Sequence, residues 1–307
     1  MRPHVKRTVR WAGVTLLVLC GLVMTATVVV YALSTRRLQR VHPVTIVLPR
    51  TIPADPAAVA RGKHVAGAMG SCTLCHGQDL GGEMLSDGGP MGTLAAPNLT
   101  SGKGGLGATF TDADWVRGIR HGVHQDGTTL LIMPCEAFVH MNERDLGDLI
   151  AYLKHLPPVD REMPRVHLSA LGRTLLVLGK FSVLIAEKTP RLPYPAVVEP
   201  GPTAAYGHYL ADFTGCHGCH GFGLSGGRVA GPPDEPPASN LTPDPATGIG
   251  HWTQDDFARA LRQGVRPDGR AIDTFMPWPY FAGLTDDEVT ARWLHVRSVP
   301  PRPFGNK

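Results

Sequence analysis

The chain reads Cys-Thr-Leu-Cys-His at residues 72–76 and Cys-His-Gly-Cys-His at residues 216–220, so one Cys-x-x-Cys-His pattern occurs twice, 144 residues apart. Three further patterns follow both copies in the same order, at offsets of 142 or 143 residues. Because unrelated short patterns keep their order and spacing, the sequence predicts one domain used twice. The matched pairs are Asn-Leu-Thr at 98–100 and 240–242, Asp-Gly at 126–127 and 268–269, and Met-Pro at 133–134 and 276–277.

The local signals in both copies are those of short helices joined by loops. A Thr followed three residues later by Asp, a pattern typical of helix starts, occurs at Thr111 and at Thr253. Gly122 and Gly264 are suited to end the helices that begin there. Strand patterns are nearly absent, and 36 Gly with 28 Pro predict many turns. The sequence therefore predicts an all-α fold with two tandem helical domains.

The Cys-x-x-Cys-His pattern is the attachment signature of c-type haem. Two thiols at this spacing reach the two vinyl groups of one porphyrin, and the following histidine is held beneath the iron. A zinc site would need a second pair of ligands nearby, and a thioredoxin-like redox pair needs no histidine after its second cysteine. The sequence predicts two covalently bound haem c groups, attached at Cys72, Cys75, Cys216 and Cys219, with His76 and His220 as iron ligands.

Met133 and Met276 are the predicted ligands on the opposite side of each iron. They stand at equivalent positions, and each is followed by a proline that stiffens the loop presenting the thioether. The other methionines of the first copy, Met84, Met91 and Met141, have no counterpart in the second. A thioether ligand raises the reduction potential of a haem relative to a second imidazole.

Asn98 and Asn240 begin the two Asn-Leu-Thr triplets, which have the form of glycosylation acceptors. Their identical placement in both copies argues for a structural role instead. Two such roles are open, since the side chain could hydrogen-bond within a turn or contact a haem propionate.

The first 40 residues differ in charge from the rest of the chain. Seven of the 30 Lys and Arg residues fall in 1–40 and no acidic residue does, which leaves 23 against 26 Asp and Glu elsewhere. The basic excess therefore belongs to a membrane flank, and nucleic acid is excluded as a partner.

Residues 11–34 carry no charge and are numerous enough to cross a bilayer as a helix. The basic residues on their two sides favour a cytoplasmic N-terminus with the body of the chain outside. A cleaved signal peptide is one alternative, although no convincing small-x-small site follows the apolar run. A lipoprotein modified at Cys20 is another, although Leu19 is large where a small residue is expected.

These patterns predict four parts. They are a cytoplasmic flank and transmembrane anchor at 1–40, a first domain at 41–165, a connecting segment at 166–200 and a second domain at 201–307. We refer to the two domains as the first and second repeat. The apolar part of the connecting segment is predicted to form a helix packed between the domains, the alternative being a docking or membrane-surface helix, and Pro-rich stretches flank it.

The order of these motifs, ending in a helix that stops at Leu-Pro-Pro (156–158) or Val-Pro-Pro (299–301), resembles the cytochrome c subunits of bacterial membrane-bound alcohol, gluconate and sorbitol dehydrogenases. The resemblance covers roughly residues 55–160 and 200–302. It implies class I cytochrome c domains, His and Met axial ligands at the positions named above, a dehydrogenase subunit as electron donor, and a quinone or an oxidase as acceptor. That family usually carries three such domains, whereas this chain has two.

The leading interpretation is a dihaem electron carrier anchored in the bacterial inner membrane, with its haem domains in the periplasm. With six-coordinate irons it would not be an enzyme by itself, because no coordination position is open to a substrate. The alternative is a dihaem peroxidase-like enzyme in which one haem opens, but the matched Met-Pro pairs speak against it. A haem-based sensor ranks last, since no segment remains for a signalling output.

Overall fold

The computed structural model describes residues 3–229 and 236–305, which are mostly helical, as predicted. Two short turns of other helix types also occur, a π-helical turn at Val65–Met69 and a 3-10 turn at Leu106–Ala108. The α-helices are α1 (Pro3–Leu38), α2 (Pro56–His64), α3 (Cys72–His76), α4 (Asp112–His121), α5 (Cys135–Phe138), α6 (Glu143–Lys154), α7 (Ala170–Val177), α8 (Ile185–Lys188), α9 (Ala204–Phe213), α10 (Cys216–His220), α11 (Gln254–Gln263), α12 (Trp278–Phe281) and α13 (Asp286–Ser298).

The N-terminal helix α1 is long and apolar, as predicted. Its part from Arg7 to Leu38 has a mean hydropathy of 2.5, and the side chains of its most apolar stretch are exposed. By length and composition this helix could cross a membrane or serve as a signal sequence.

The capping patterns form as predicted. Thr111 and Asp114 exchange side-chain and backbone hydrogen bonds at the start of α4, and Thr253 and Asp256 do the same for α11. Both helices end at a glycine with positive φ, Gly122 and Gly264. Local sequence thus sets the bounds of this helix in both repeats.

The first and last helices of each repeat cross at very close range. In the first repeat α2 packs on α6, and in the second α9 packs on α13. The crossing points are Gly62 and Gly207, where a Cβ would overlap the carbonyl oxygens of Asp148 and Ala291 respectively. The two glycines are therefore required by backbone contact, a constraint that is the same in both repeats.

Gly207→Ala should lower the free energy of unfolding by about 3 kcal/mol, because the added methyl group forces the α9 and α13 backbones apart. Thermal unfolding of the purified protein would measure the loss. Gly118→Ala in α4 is the matched control, since a Cβ there meets no atom within 4 Å, and it should be neutral or stabilising by about 0.5–1 kcal/mol. Equal effects of the two substitutions would contradict the close-crossing explanation.

The prediction of an all-α fold is incomplete, because the first repeat contains a small antiparallel sheet. Its strands are β1 (Glu83–Gly89), β2 (Gly92–Ala96) and β3 (His167–Leu168), in the order β1-β2-β3. Strand β2 is buried along its whole length, whereas β1 is largely exposed. The small residues of β2 give little alternation of polar and apolar side chains, so the period that normally indicates a strand is missing.

The connecting segment is not the single helix that its composition suggests. It divides into β3, α7 and α8, and its apolar residues pack on β2 through a cluster of Leu94, Leu168, Leu176, Val183 and Leu184. Lys180 lies beyond the end of α7, so it does not share a helix face with Arg173.

Helix α7 also contacts the C-terminal end of α1. The Arg173 guanidinium donates to Ser34 Oγ at 2.9 Å and to Thr35 Oγ1 at 3.0 Å. Arg37 donates to the Leu176 carbonyl at 2.9 Å and forms an ion pair with Glu187 at 2.5 Å. The connecting segment therefore holds the end of α1 against the first repeat.

The two repeats share one hydrophobic core and are joined by polar contacts between buried groups. The Tyr209 hydroxyl donates to Asp145 Oδ2 at 2.5 Å and accepts from the Asn142 N–H at 3.3 Å. His64 Nε2 lies 2.7 Å from Glu288 Oε1. The repeats are thus packed directly against each other in the described part of the chain.

The His64–Glu288 contact links this packing to pH. The hydrogen bond to Glu288 raises the pKa of His64 above its ordinary value, against the opposing effects of burial and of Arg292. Burial alone would raise the pKa of Glu288, but hydrogen bonds from His64 and from the Thr285 N–H outweigh it and lower that pKa. Both shifts favour the ionic form of the pair.

Since the folded-state pKa of His64 lies above the unfolded value, its stabilisation is fully present below about pH 6.5 and is lost as pH rises through the folded-state pKa. We expect the free energy of unfolding to fall by about 1–2 kcal/mol over that rise, the typical contribution of a charged hydrogen bond. Urea titrations at several pH values would measure it. His64→Gln should remove this part of the pH dependence, and an unchanged slope in that variant would contradict the assignment.

Two candidate haem sites

Each repeat contains one apolar cavity lined by all four of its predicted ligand and attachment residues. The cavity of the first repeat has a volume of about 780 Å³ and is lined by Cys72, Cys75, His76 and Met133. The cavity of the second repeat has a volume of about 570 Å³ and is lined by Cys216, Cys219, His220 and Met276. These volumes fall in the range of pockets that bury a large cofactor.

The cysteines and the histidine of each set lie on one short helix, α3 or α10. Each helix is entered through a residue with positive φ, Ser71 or Gly215, and is followed by a glycine with positive φ, Gly77 or Gly221. The reversals of the chain at both ends isolate a single turn of helix. As a result, both thiols and the imidazole of each set border the same cavity.

The histidine rings are oriented by the backbone of the loop across the cavity. His76 Nδ1 lies 2.9 Å from the Pro97 carbonyl oxygen, and His220 Nδ1 lies 2.7 Å from that of Ser239. Because a carbonyl only accepts, Nδ1 carries the proton and the lone pair of Nε2 remains for a metal. Burial lowers the pKa of His76, which favours the neutral ring that ligates iron.

The methionines lie on loops that the following proline stiffens. Pro134 and Pro277 are the residues from which α5 and α12 begin. The Met133 carbonyl accepts from the Cys135 N–H at 2.9 Å, and the Met276 carbonyl accepts from the Trp278 N–H at 2.7 Å. Met133 and Met276 each line the cavity of their own repeat.

Asn98 and Asn240 make hydrogen bonds to the protein itself. The Asn98 amide donates to the Val159 carbonyl at 2.7 Å, and its oxygen accepts from the Thr100 N–H at 2.9 Å. The Asn240 amide donates to the Arg302 carbonyl at 2.7 Å. Both side chains tie a turn to the segment after the last helix of their repeat, which is the turn role, and Asn240 also lines the second cavity.

Sequence reasoning missed the residues that lie between the cavities. Four residues line both of them, so the cavities share a wall one layer of side chains thick. Only Pro277 carries a sequence signal, because it follows the predicted ligand Met276. The shared wall consists of Thr214, Gly215, Pro277 and Phe281.

Arg292 is a second missed feature. Its side chain is buried, lines the second cavity, and donates to Thr214 Oγ1 at 3.3 Å, while its Nε has no hydrogen-bond partner among the residues that the structure describes. The equivalent position in the first repeat is not an arginine, so comparison of the two repeats does not single out Arg292. A buried cation beside only one cavity makes the two sites electrostatically unequal.

The residues present fit covalently bound haem. Paired thiols, an imidazole whose Nδ1 faces a backbone carbonyl and a thioether line an apolar cavity in each repeat. The mostly helical fold and these two sites are those expected of c-type cytochromes.

Comparison with known proteins gives the particular relatives. No family model matches the chain. It is 33% identical over 291 residues to the cytochrome c subunit of the quinone alcohol dehydrogenase of Komagataeibacter europaeus, covering 83% of this chain and 59% of that one. It is 30% identical over 279 residues to the gluconate 2-dehydrogenase cytochrome c subunit of Pantoea cypripedii, covering 80% and 60%. It is 29% identical over 285 residues to a diheme c-type cytochrome of Cereibacter sphaeroides, covering 82% and 92%.

Over about four fifths of its length the chain is thus a homologue of cytochrome c subunits of quinone-linked dehydrogenases and of a diheme cytochrome c, which confirms the predicted resemblance. The chain spans about three fifths of the length of the dehydrogenase subunits. Homology to cytochromes c implies covalent haem c, in agreement with the two cysteine pairs.

Proposed function

We propose that this chain is a membrane-anchored dihaem cytochrome c that carries electrons from a dehydrogenase towards quinone. The observation that supports this most directly is the pair of cavities, each lined by two cysteines, a histidine and a methionine in equivalent positions. The bound haems would supply the one-electron redox chemistry.

The chain's own residues would hold the two groups and set their properties. Cys72, Cys75, Cys216 and Cys219 would attach the haems, His76 and His220 would ligate iron from one side, and Met133 and Met276 from the other. Since both axial positions are then taken, neither site is open to a substrate, and electron transfer is the chemistry that remains. The apolar lining excludes water, so little solvent has to reorganise when a charge enters.

The shared wall gives a direct path between the sites. Because Thr214, Gly215, Pro277 and Phe281 border both cavities, an electron would pass from one site to the other through this single layer. The buried charge of Arg292 would raise the potential of the second site relative to the first, which favours transfer in that direction.

The domain arrangement and location that we propose follow from α1 and its contacts. Helix α1 would span the bacterial inner membrane, and two tandem class I cytochrome c domains, at 41–165 and 201–307, would lie in the periplasm. The basic residues around α1 support this orientation. The contacts of Arg37 and Arg173 hold the first repeat close to the end of the helix. The electron donor would be a dehydrogenase subunit, and the acceptor a quinone or an oxidase.

Mild detergent extraction of the native membrane, followed by identification of the subunits that co-purify, tests the proposal. We expect two equivalents of covalent haem c per chain in alkaline pyridine. We also expect reduction by the substrate of a co-purified dehydrogenase and reoxidation by a ubiquinone analogue. Fewer than two equivalents, or haems that no co-purified dehydrogenase can reduce, would overturn it.

A further inference from the structure

Three histidines outside the predicted ligand sets come together in the second repeat, with His208 exposed and His295 buried where it lines the second cavity. His208 lies on α9, His217 on α10 and His295 on α13, and one ring nitrogen from each lies within 4.8 Å of the others. The close crossing of α9 and α13 at Gly207 brings the first and last of these side by side, with ring centroids 4.9 Å apart. The cluster is therefore built by the packing of the repeat, not by neighbouring positions in the chain.

A carboxylate lies beside two of the three histidines. Asp212 lies one helical turn after His208, and its two oxygens lie 3.6 Å from His208 Nε2 and 3.2 Å from His217 Nε2. Three imidazoles and one carboxylate are four donors of the kinds that Zn²⁺ takes in closed, tetrahedral sites.

One of the imidazoles has a buried nitrogen with no hydrogen-bond partner. His295 is buried, and its Nε2 is not hydrogen-bonded in the described part of the chain. His217 Nε2 lies 3.2 Å from Asp212 Oδ1, so this close polar neighbour belongs to the same cluster. A buried nitrogen without a partner is costly, and a bound cation would remove that cost.

The protonation of the buried ring also suits a cation. Burial first, and then the nearby His208 and His217, lower the pKa of His295 to about 4. Its ring is therefore neutral at physiological pH, which is the form that ligates metals. Asp212 supplies the negative charge that a divalent ion needs nearby.

We propose that His208, His217, His295 and Asp212 form a binding site for one Zn²⁺ ion. Zinc–imidazole bonds of about 2.0–2.1 Å place tetrahedral ligand atoms about 3.4 Å apart. The present spread of 4.8 Å therefore has to close by about 1.4 Å. The His208 side chain is 61% exposed, so solvent leaves room for its ring to move.

Because of the position of His217, a bound zinc ion would affect electron transfer. This residue lies between Cys216 and Cys219, the two attachment residues of the second repeat. Two added positive charges there would stabilise the reduced state of the second haem and raise its potential. This consequence, unlike the binding itself, rests on the function proposed above.

Titration of the zinc-free holoprotein with ZnCl₂ against a chromophoric chelator tests the site. We expect one Zn²⁺ per chain, bound with a dissociation constant below about 1 μM, and a loss of affinity of at least tenfold in both His208→Ala and Asp212→Asn. His251→Ala is the matched control, because His251 is an exposed histidine of the same repeat outside the cluster. Its affinity should equal that of the wild type.

Failure to bind Zn²⁺ at 10 μM-scale concentrations, about tenfold above the expected constant, or equal affinity in the wild type and both cluster variants, would overturn the site. Redox titration with and without zinc tests the consequence. Zinc should raise the reduction potential of the second haem in the wild type and not in His208→Ala. Unchanged potentials in a zinc-loaded protein would overturn the coupling between zinc binding and that potential. Because the chelator reports binding without electron transfer, failure here is distinguishable from failure of the proposed function.

Discussion

Met133→Ala and Met276→Ala are each expected to convert one of the two haems from a low-spin to a high-spin spectrum and to lower its potential by roughly 0.2 V, a fraction of the ~0.8 V range that axial ligands control. The thioether is a soft ligand that favours the lower oxidation state of iron, and alanine offers no donor in its place. Because each methionine lines a different cavity, each variant should affect one haem and leave the other unchanged. Optical redox titration measures the spin state and the reduction potential of each haem separately.

Met84→Ala is the matched control for these variants. Met84 lies in the same repeat as Met133, on the largely exposed strand β1, and does not line the cavity. Both haems should stay low-spin in this variant, with unchanged potentials. If both haems also stayed low-spin in Met133→Ala, the axial assignment in the first repeat would be wrong.

The repeated motifs could be predicted from the sequence because each one is short, local and present twice. Attachment of haem needs two thiols and an imidazole within five residues. The 72–76 and 216–220 segments can therefore be recognised from the sequence without knowledge of the tertiary structure. The helix starts at Thr111 and Thr253 are equally local, since one turn of helix contains every partner of the cap. The placement of these residues along α3, α10, α4 and α11 follows from the same signals.

What the sequence left open depends on contacts between distant parts of the chain. Asn98 has two chemically equal uses until the carbonyl of Val159, 61 residues away, is known to be its partner. Phe281 lines the first cavity only through the packing of the second repeat against the first, and Arg292 reaches the second cavity through the packing of α13 on α9. Strand β2 is stabilised by pairing with β3, which lies in a segment whose apolar composition suggested a helix.

The loss of covalent attachment should have the largest structural effect in this protein. The double variant Cys216→Ala, Cys219→Ala is expected to carry one equivalent of covalent haem and to lose the folded structure of the second repeat. A cavity of about 570 Å³ has to be filled for this repeat to fold. At about 24 cal/mol per Å³, keeping such a cavity open would cost on the order of 14 kcal/mol. That cost is comparable to the whole stability of a domain.

Cys135→Ala is the control for this experiment, because Cys135 is fully buried but takes no part in either attachment motif. It should keep two equivalents of haem and a cooperative unfolding transition at a slightly lower temperature. Alkaline pyridine spectra and far-ultraviolet circular dichroism measure the two quantities. Since the repeats share one core and the His64–Glu288 contact, loss of the second repeat should also lower the unfolding temperature of the first. A double variant that unfolds like the wild type would show that the second repeat folds independently of its haem.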